Sequence, residues 1–178
     1  GHGFLSEAIA AGAAGALLGR ALETPLPYVE TPDTRRALGT FAAFWRSQFK
    51  IPVIAVTGSN GKTTVKEMLA AIFARRGKGC VTRGNLNNDI GVPLTLLRLR
   101  ADDAYAVIEM GMNHRGEIEY LTRLTRPTVA LITNAAEAHL AGLGSVAAIA
   151  HAKGEIFAGL ADDGTAVINA DDAYSELW

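Results

Sequence analysis

The chain has 178 residues, nearly half of them hydrophobic and a fifth charged, with a formal net charge of −1. Such a length allows one domain, or one domain and part of another, and the balance is that of a folded chain rather than a disordered one. Near-neutrality excludes nucleic-acid binding through a basic field, and no apolar run reaches the ~20 residues of a membrane span.

In chain order, residues 8–18 are apolar, but Glu7, the glycines and the lack of a basic start fit a signal peptide poorly. Residues 4–11 form a short helical pattern, 16–18 a strand, and the proline-bearing stretch 24–32 an extended connection. Asp33 is placed to cap a helix running to about Phe49, with Leu38, Phe41, Phe44 and Trp45 facing a core. Residues 1–50 are too few to bury a core of their own, and read as the remnant of a first domain.

From residue 51 the pattern changes. The run IPVIAVT at 51–57 is a buried strand, with Pro52 tolerable only near its start. A helix follows over 61–76, with Val65, Met68, Leu69, Ile72 and Phe73 on one face. Next come a strand at 80–82, a polar loop, a helix at 92–99, the strand YAVIEM at 105–110, a helix at 117–124 and the strand TVALIT at 128–133. A helix over 145–160, N-capped by Ser145, and a strand at 165–169 complete the series. The single cysteine, Cys80, suggests a reducing compartment and reads as a small buried strand residue rather than a reactive thiol. The expected fold is α/β: a doubly wound, mainly parallel sheet over 51–178, preceded by part of a small α/β domain. Ligands in such folds gather beyond the carboxyl ends of the strands. The start at Gly1 without a methionine, and the stop at Trp178 after a strand-like run, suggest a fragment.

The sharpest chemical signal is Gly58, Ser59, Asn60, Gly61, Lys62, Thr63 and Thr64, between a strand and a helix. The glycines let backbone N–H groups converge on an anion, and the helix start adds its positive end. Lys62 supplies a point charge for the terminal phosphates of ATP, and the Thr63 hydroxyl is a Mg²⁺ ligand. The general phosphate-loop pattern wants glycine at position 56, where this chain has Val56. Glu109 ends an apolar strand downstream of the loop, where nucleotide enzymes place a metal-binding carboxylate. His139, beyond another strand end, reads as a surface or satisfied polar histidine ahead of a metal or phosphate ligand, and Lys153 reads as a solvated lysine beside His151 and Glu155. The loop carrying Asn85, Asn87, Asn88 and Asp89 suits either a polar substrate or plain turn chemistry.

Together, TGSNGKTT at 57–64, GNLNNDIGVPLTLLRL at 84–99 and AVIEMGMNHRGEIEYL at 106–121 resemble the Mur ligase family. The resemblance continues through LTRPTVALITNAAEAHLAGLGS at 124–145 and AKGEIFAGL at 152–160. A phosphate loop without the early glycine is the form this family uses. The resemblance implies a cytoplasmic, monomeric, bacterial ATP-dependent amide ligase that adds D-alanyl-D-alanine to UDP-N-acetylmuramoyl-tripeptide through an acyl phosphate. It implies that Thr63 and Glu109 hold one Mg²⁺, that Glu109 and His139 help hold a second, that Asn134 joins the nucleotide site, and that Lys153 is carbamylated by CO₂. It also implies that 1–50 end a uridine-nucleotide-binding domain and 51–178 form most of an ATPase domain. A C-terminal domain would lie outside these residues, and the fragment alone is not expected to turn over. A folylpolyglutamate synthase-like ligase, a simple P-loop kinase and a non-catalytic ATP-binding module are the competing readings.

Overall fold

The computed structural model describes residues 2–137 and 143–178. Five strands form one sheet: β3 (Val53–Thr57), β4 (Gly79–Val81), β5 (Tyr105–Glu109), β6 (Val129–Ile132) and β7 (Thr165–Ile168), in the order β4-β5-β3-β6-β7. A separate pair, β1 (Ala16–Leu18) and β2 (Tyr28–Glu30), precedes them, and every strand pairing in both sheets is parallel. The parallel pair in the early segment corrects the reading of 24–32 as a plain connection. The helices are α1 (Leu5–Ala10), α2 (Thr34–Ser47), α3 (Lys62–Phe73), α4 (Gly91–Leu96), α5 (Glu117–Thr125) and α6 (Val146–Gly154). Among the described residues no helix is long and apolar enough to cross a membrane.

The period of two in β3 and β5 divides their side chains between two cores. Val53, Ala55, Ala106 and Ile108 face a large cluster with residues of α2, α4, α5 and α6. Ile54, Val56, Tyr105 and Val107 face the other side, where Val65, Leu69 and Phe73 of α3 cover them. Both faces are therefore covered, and all ten residues of the two central strands are buried. Val56, where the general loop pattern wants glycine, is one of these packing residues. Cys80 is buried in β4 and gives its thiol to the Thr95 carbonyl, while burial pushes its pKa up, as suits an inert thiol.

Two predicted helix faces need correction. On α3, Met68 and Ile72 point to solvent, Ile72 with 63% exposure. On α2, Leu38 is half-buried and Trp45 packs into the large core, but Phe41 and Phe44 are exposed; the fully buried positions are Gly39, Ala42 and Arg46. Asp33 does cap α2, its Oδ1 accepting from the backbone N–H of Arg35 and Arg36. Arg46 then fastens this helix to the end of α5, donating to the carbonyls of Thr125 and Arg126. Ser145 caps α6 as expected, through the N–H of Ala148, although the helix gives way to a 3-10 turn at Glu155–Gly159.

Candidate functional site

The carboxyl ends of β3, β4, β5 and β6 lie along one edge of the sheet, as parallel strands require. From β3 the chain enters the loop of residues 58–61 and turns directly into α3. Gly61, at the N-cap of α3, has φ +78, a conformation that favours glycine. Gly58 is required for a different reason: a Cβ there would collide with the Thr133 hydroxyl at the end of β6. The loop is fastened to that neighbour on several sides. Asn60 N–H donates to Asn134 Oδ1 at 3.0 Å, and the Asn60 carbonyl accepts from Thr133 Oγ1 at 2.7 Å. Ser59 N–H reaches the Asn134 carbonyl, and the Ser59 hydroxyl bridges the backbone of Ala136.

Lys62 turns its ammonium back over the loop, donating to the carbonyls of Gly58 at 2.7 Å and Ser59 at 3.2 Å. Burial lowers its pKa, and the nearby Glu109 carboxylate partly opposes that shift. Glu109 is the last residue of β5 and only 2% exposed. Its Oε2 accepts from the Thr63 hydroxyl at 2.9 Å and its Oε1 from Asn87 Nδ2 at 2.9 Å, while its backbone N–H donates to Thr82 Oγ1. Thr63 and Glu109, which the family resemblance pairs across 46 residues, are in direct contact in the fold.

Lys153 departs from the solvated reading. It lies on α6 with 2% exposure. Burial, reinforced by repulsion from Lys62, lowers its pKa to about 7. His151 is exposed, whereas Glu155 accepts the N–H groups of Gly116 and Glu119 and so caps α5. His139 lies outside the described residues.

The residues of the asparagine loop play separate parts. Asn88 Oδ1 accepts the N–H groups of Ile90 and Gly91 at the start of α4, and Asp89 pairs with Arg35 of α2 at 2.6 Å. Asn85 contributes a backbone carbonyl to the turn, accepting from Asn87 N–H. Asn87, Asn88 and Asp89, together with Lys62, border a cleft of about 660 Å³ whose opposite walls include Arg36 and Tyr120. The Arg36 guanidinium lies over the Tyr120 ring, 4.2 Å from its centre. Sequence reasoning missed Arg35, Arg36 and Tyr120, since arginines on an amphipathic helix carry no signal of a cleft. It also gave no role to Thr82 and Thr133, the last residues of two strands it predicted, which lie just beyond β4 and β6 in the fold.

Among the described residues no three His, Cys, Asp or Glu side chains gather as a ready-made metal cluster. The Thr63 hydroxyl and the Glu109 carboxylate instead offer two adjacent hard oxygens beside the phosphate loop. That donor set fits Mg²⁺, which is commonly held by few protein oxygens and completed by phosphates and water.

The family described as the Mur ligase middle domain matches residues 56–178. Over 171 residues the chain is 54% identical to UDP-N-acetylmuramoyl-tripeptide--D-alanyl-D-alanine ligase of Escherichia coli (strain K12), covering 96% of this chain and 38% of that protein. A crystal structure of MurF from Acinetobacter baumannii superposes with a TM-score of 0.94 at 42% identity, covering 99% of this chain and 39% of that one. The MurF ligase of Thermotoga maritima in complex with ADP gives a TM-score of 0.87 at 30% identity, over 96% of this chain and 40% of that one. The chain thus spans about two fifths of the length of these relatives. With the parallel sheet, the phosphate loop after β3 and the acid at the tip of β5 all in place, the chain belongs to the Mur ligase family.

Proposed function

We propose that this chain carries the ATP site of an amide ligase that adds D-alanyl-D-alanine to UDP-N-acetylmuramoyl-tripeptide in the bacterial cytoplasm. The observation that carries the proposal is the contact of Thr63 with Glu109 beside Lys62, at the N-terminus of α3. Further support comes from the relatives: the Escherichia coli protein is named for this reaction, and the Thermotoga maritima structure is a complex with ADP. In this reading residues 1–50 end a uridine-nucleotide-binding domain and residues 51–178 form most of the ATPase domain. The protein acts as a monomer.

The backbone N–H groups of the loop and the start of α3 receive the phosphates of ATP. Lys62 then leaves its carbonyl partners to meet the β/γ-phosphates, where its charge offsets that of the transferring phosphoryl group. Thr63 and Glu109 would hold one Mg²⁺, and Glu109 with His139 would help hold a second; such cations would supply charge neutralisation for the phosphoryl group. The peptide's terminal carboxylate, lying in the cleft beside Lys62, Asn87, Asn88 and Asp89, attacks the γ-phosphorus and releases ADP. The amine of D-alanyl-D-alanine attacks the resulting acyl phosphate and expels phosphate. Asn134 contributes by holding Asn60 and with it the loop. Lys153, buried and with its pKa near 7, keeps a sizeable neutral fraction at cytoplasmic pH. A neutral amine is the form that combines with CO₂, and the carbamate so formed gives the site an anionic oxygen donor in place of a cation.

Phosphate release by the full-length protein, with the tripeptide nucleotide and the dipeptide added singly and together, tests the ligase reading. Release should require both, whereas equal release without the dipeptide would sink it. Lys62→Ala should weaken MgADP binding at least about tenfold by calorimetry. Unchanged affinity would refute the role of Lys62.

A further inference from the structure

Asn87 belongs to a loop whose asparagines suit turns or a substrate, yet its side chain first serves a neighbouring strand. Its Nδ2 donates to Glu109 Oε1 at 2.9 Å. A carboxylate accepts hydrogen bonds only, so the nitrogen of the amide must face it. The other carboxylate oxygen, Oε2, meets the Thr63 hydroxyl at the same distance. Both oxygens of a nearly fully buried acid are thus taken by neutral donors from opposite sides, and its carboxylate plane is fixed.

Asn87 is itself held. Its carbonyl accepts the N–H of Gly111 at 2.8 Å, and its N–H donates to the Asn85 carbonyl at 2.7 Å. A Cβ added to Gly111 would lie 2.9 Å from Asn87 Oδ1, so the glycine after Met110 leaves the room that the amide occupies. The neighbours are engaged elsewhere, Asn88 in closing the turn into α4 and Asp89 in pairing with Arg35.

We propose that Asn87 is a positioning residue for Glu109, retaining Oε1 so that Oε2 alone is presented to a cation beside Thr63. The inference rests on the metal role given to Glu109 above. Groups that orient a metal-binding side chain are worth about 10- to 100-fold in metal affinity. Retaining one oxygen also favours Mg²⁺, which takes carboxylates singly in a strict octahedron, over Ca²⁺, which accepts both oxygens of one group.

The test is ADP binding to the full-length protein at rising Mg²⁺ or Ca²⁺, with wild type, Asn87→Ala and Asn87→Asp compared by calorimetry. Asn87→Ala should raise the Mg²⁺ concentration for half-saturation about 10- to 100-fold, with a smaller change for Ca²⁺. Asn87→Asp, which sets a second acid against Glu109, should lose at least as much Mg²⁺ affinity. Thermal unfolding of each variant separates this from a loss of folding. Equal losses for the two cations, tracking a lower melting temperature, would mean a merely structural role and overturn the proposal. Unchanged Mg²⁺ dependence in Asn87→Ala would overturn it while leaving Glu109 as the metal residue. Wild-type ADP binding indifferent to Mg²⁺ would remove the metal reading of Glu109 and this proposal together.

Discussion

Two buried lysines flank the site, one on each side of the sheet, and they are buried in different ways. Lys66 of α3 is 1% exposed, but its ammonium donates to the Thr82 carbonyl at 3.0 Å and pairs with Glu67 at 2.9 Å. Lys153 of α6 is just as deep, but desolvation and the charge of Lys62 act on its ammonium. An ammonium taken from water must be compensated by partners or give up its proton, and the two positions take these two routes. Lys66 ties α3 to the end of β4, beside the threonine that holds the Glu109 backbone. Lys153 has its proton affinity lowered instead. Burial alone therefore does not mark a lysine for chemistry.

Replacing each lysine by methionine, which keeps the length and removes the charge, should give opposite signs. The largest effect belongs to Lys153→Met. The folded-state pKa of Lys153 is about 7 against 10.5 for an ordinary lysine. Between those values the unfolded chain holds more protons, so the wild-type protein gains stability as pH rises through that window and carries its full penalty below pH 7. Lys153→Met should thus stabilise by about 3–5 kcal/mol at pH 6, with the gain fading toward pH 10. Urea unfolding in CO₂-free buffer at several pH values measures this, and a pH-independent gain would break the contrast. Lys66→Met should instead cost about 1–3 kcal/mol in the same experiment, because the Thr82 carbonyl loses its donor. Glu67→Gln should change stability by less than about 1 kcal/mol, since Glu67 is 65% exposed and its pairing is screened. A larger loss would mean that the ion pair, rather than the carbonyl, answers Lys66.

The strands are legible in the sequence because both faces of this sheet are covered. IPVIAVT and YAVIEM are nearly continuous apolar runs, as strands buried on both faces require, and the polar Thr57 and Glu109 come only at the carboxyl ends of β3 and β5. The edge that carries the candidate site is legible for a topological reason: parallel strands deliver all their carboxyl ends to one side, while the pairing of Thr63 with Glu109 comes from the family resemblance. Helix faces are harder to read. Periodicity finds a stripe on α2 and α3, but Phe44 and Ile72, both members of it, are exposed in the fold. Lys153 defeats a sequence reading because a lysine in an apolar helix ordinarily extends its chain to water. The packing of α6 against the large core instead buries the residue to 2% exposure.

The fastening of the phosphate loop to the end of β6 has an energetic consequence. Asn60 is gripped by Thr133 and Asn134, Ser59 by Ala136, and Gly58 has no room for a side chain. A loop whose shape is dictated by its own protein bonds loses little conformational entropy when it engages a phosphate. If the loop receives phosphates as proposed, its rigidity would favour anions that match the spacing of its N–H groups. Loosening the grip at Asn134 would therefore be felt as weaker nucleotide binding, with every residue that touches the phosphates left unchanged.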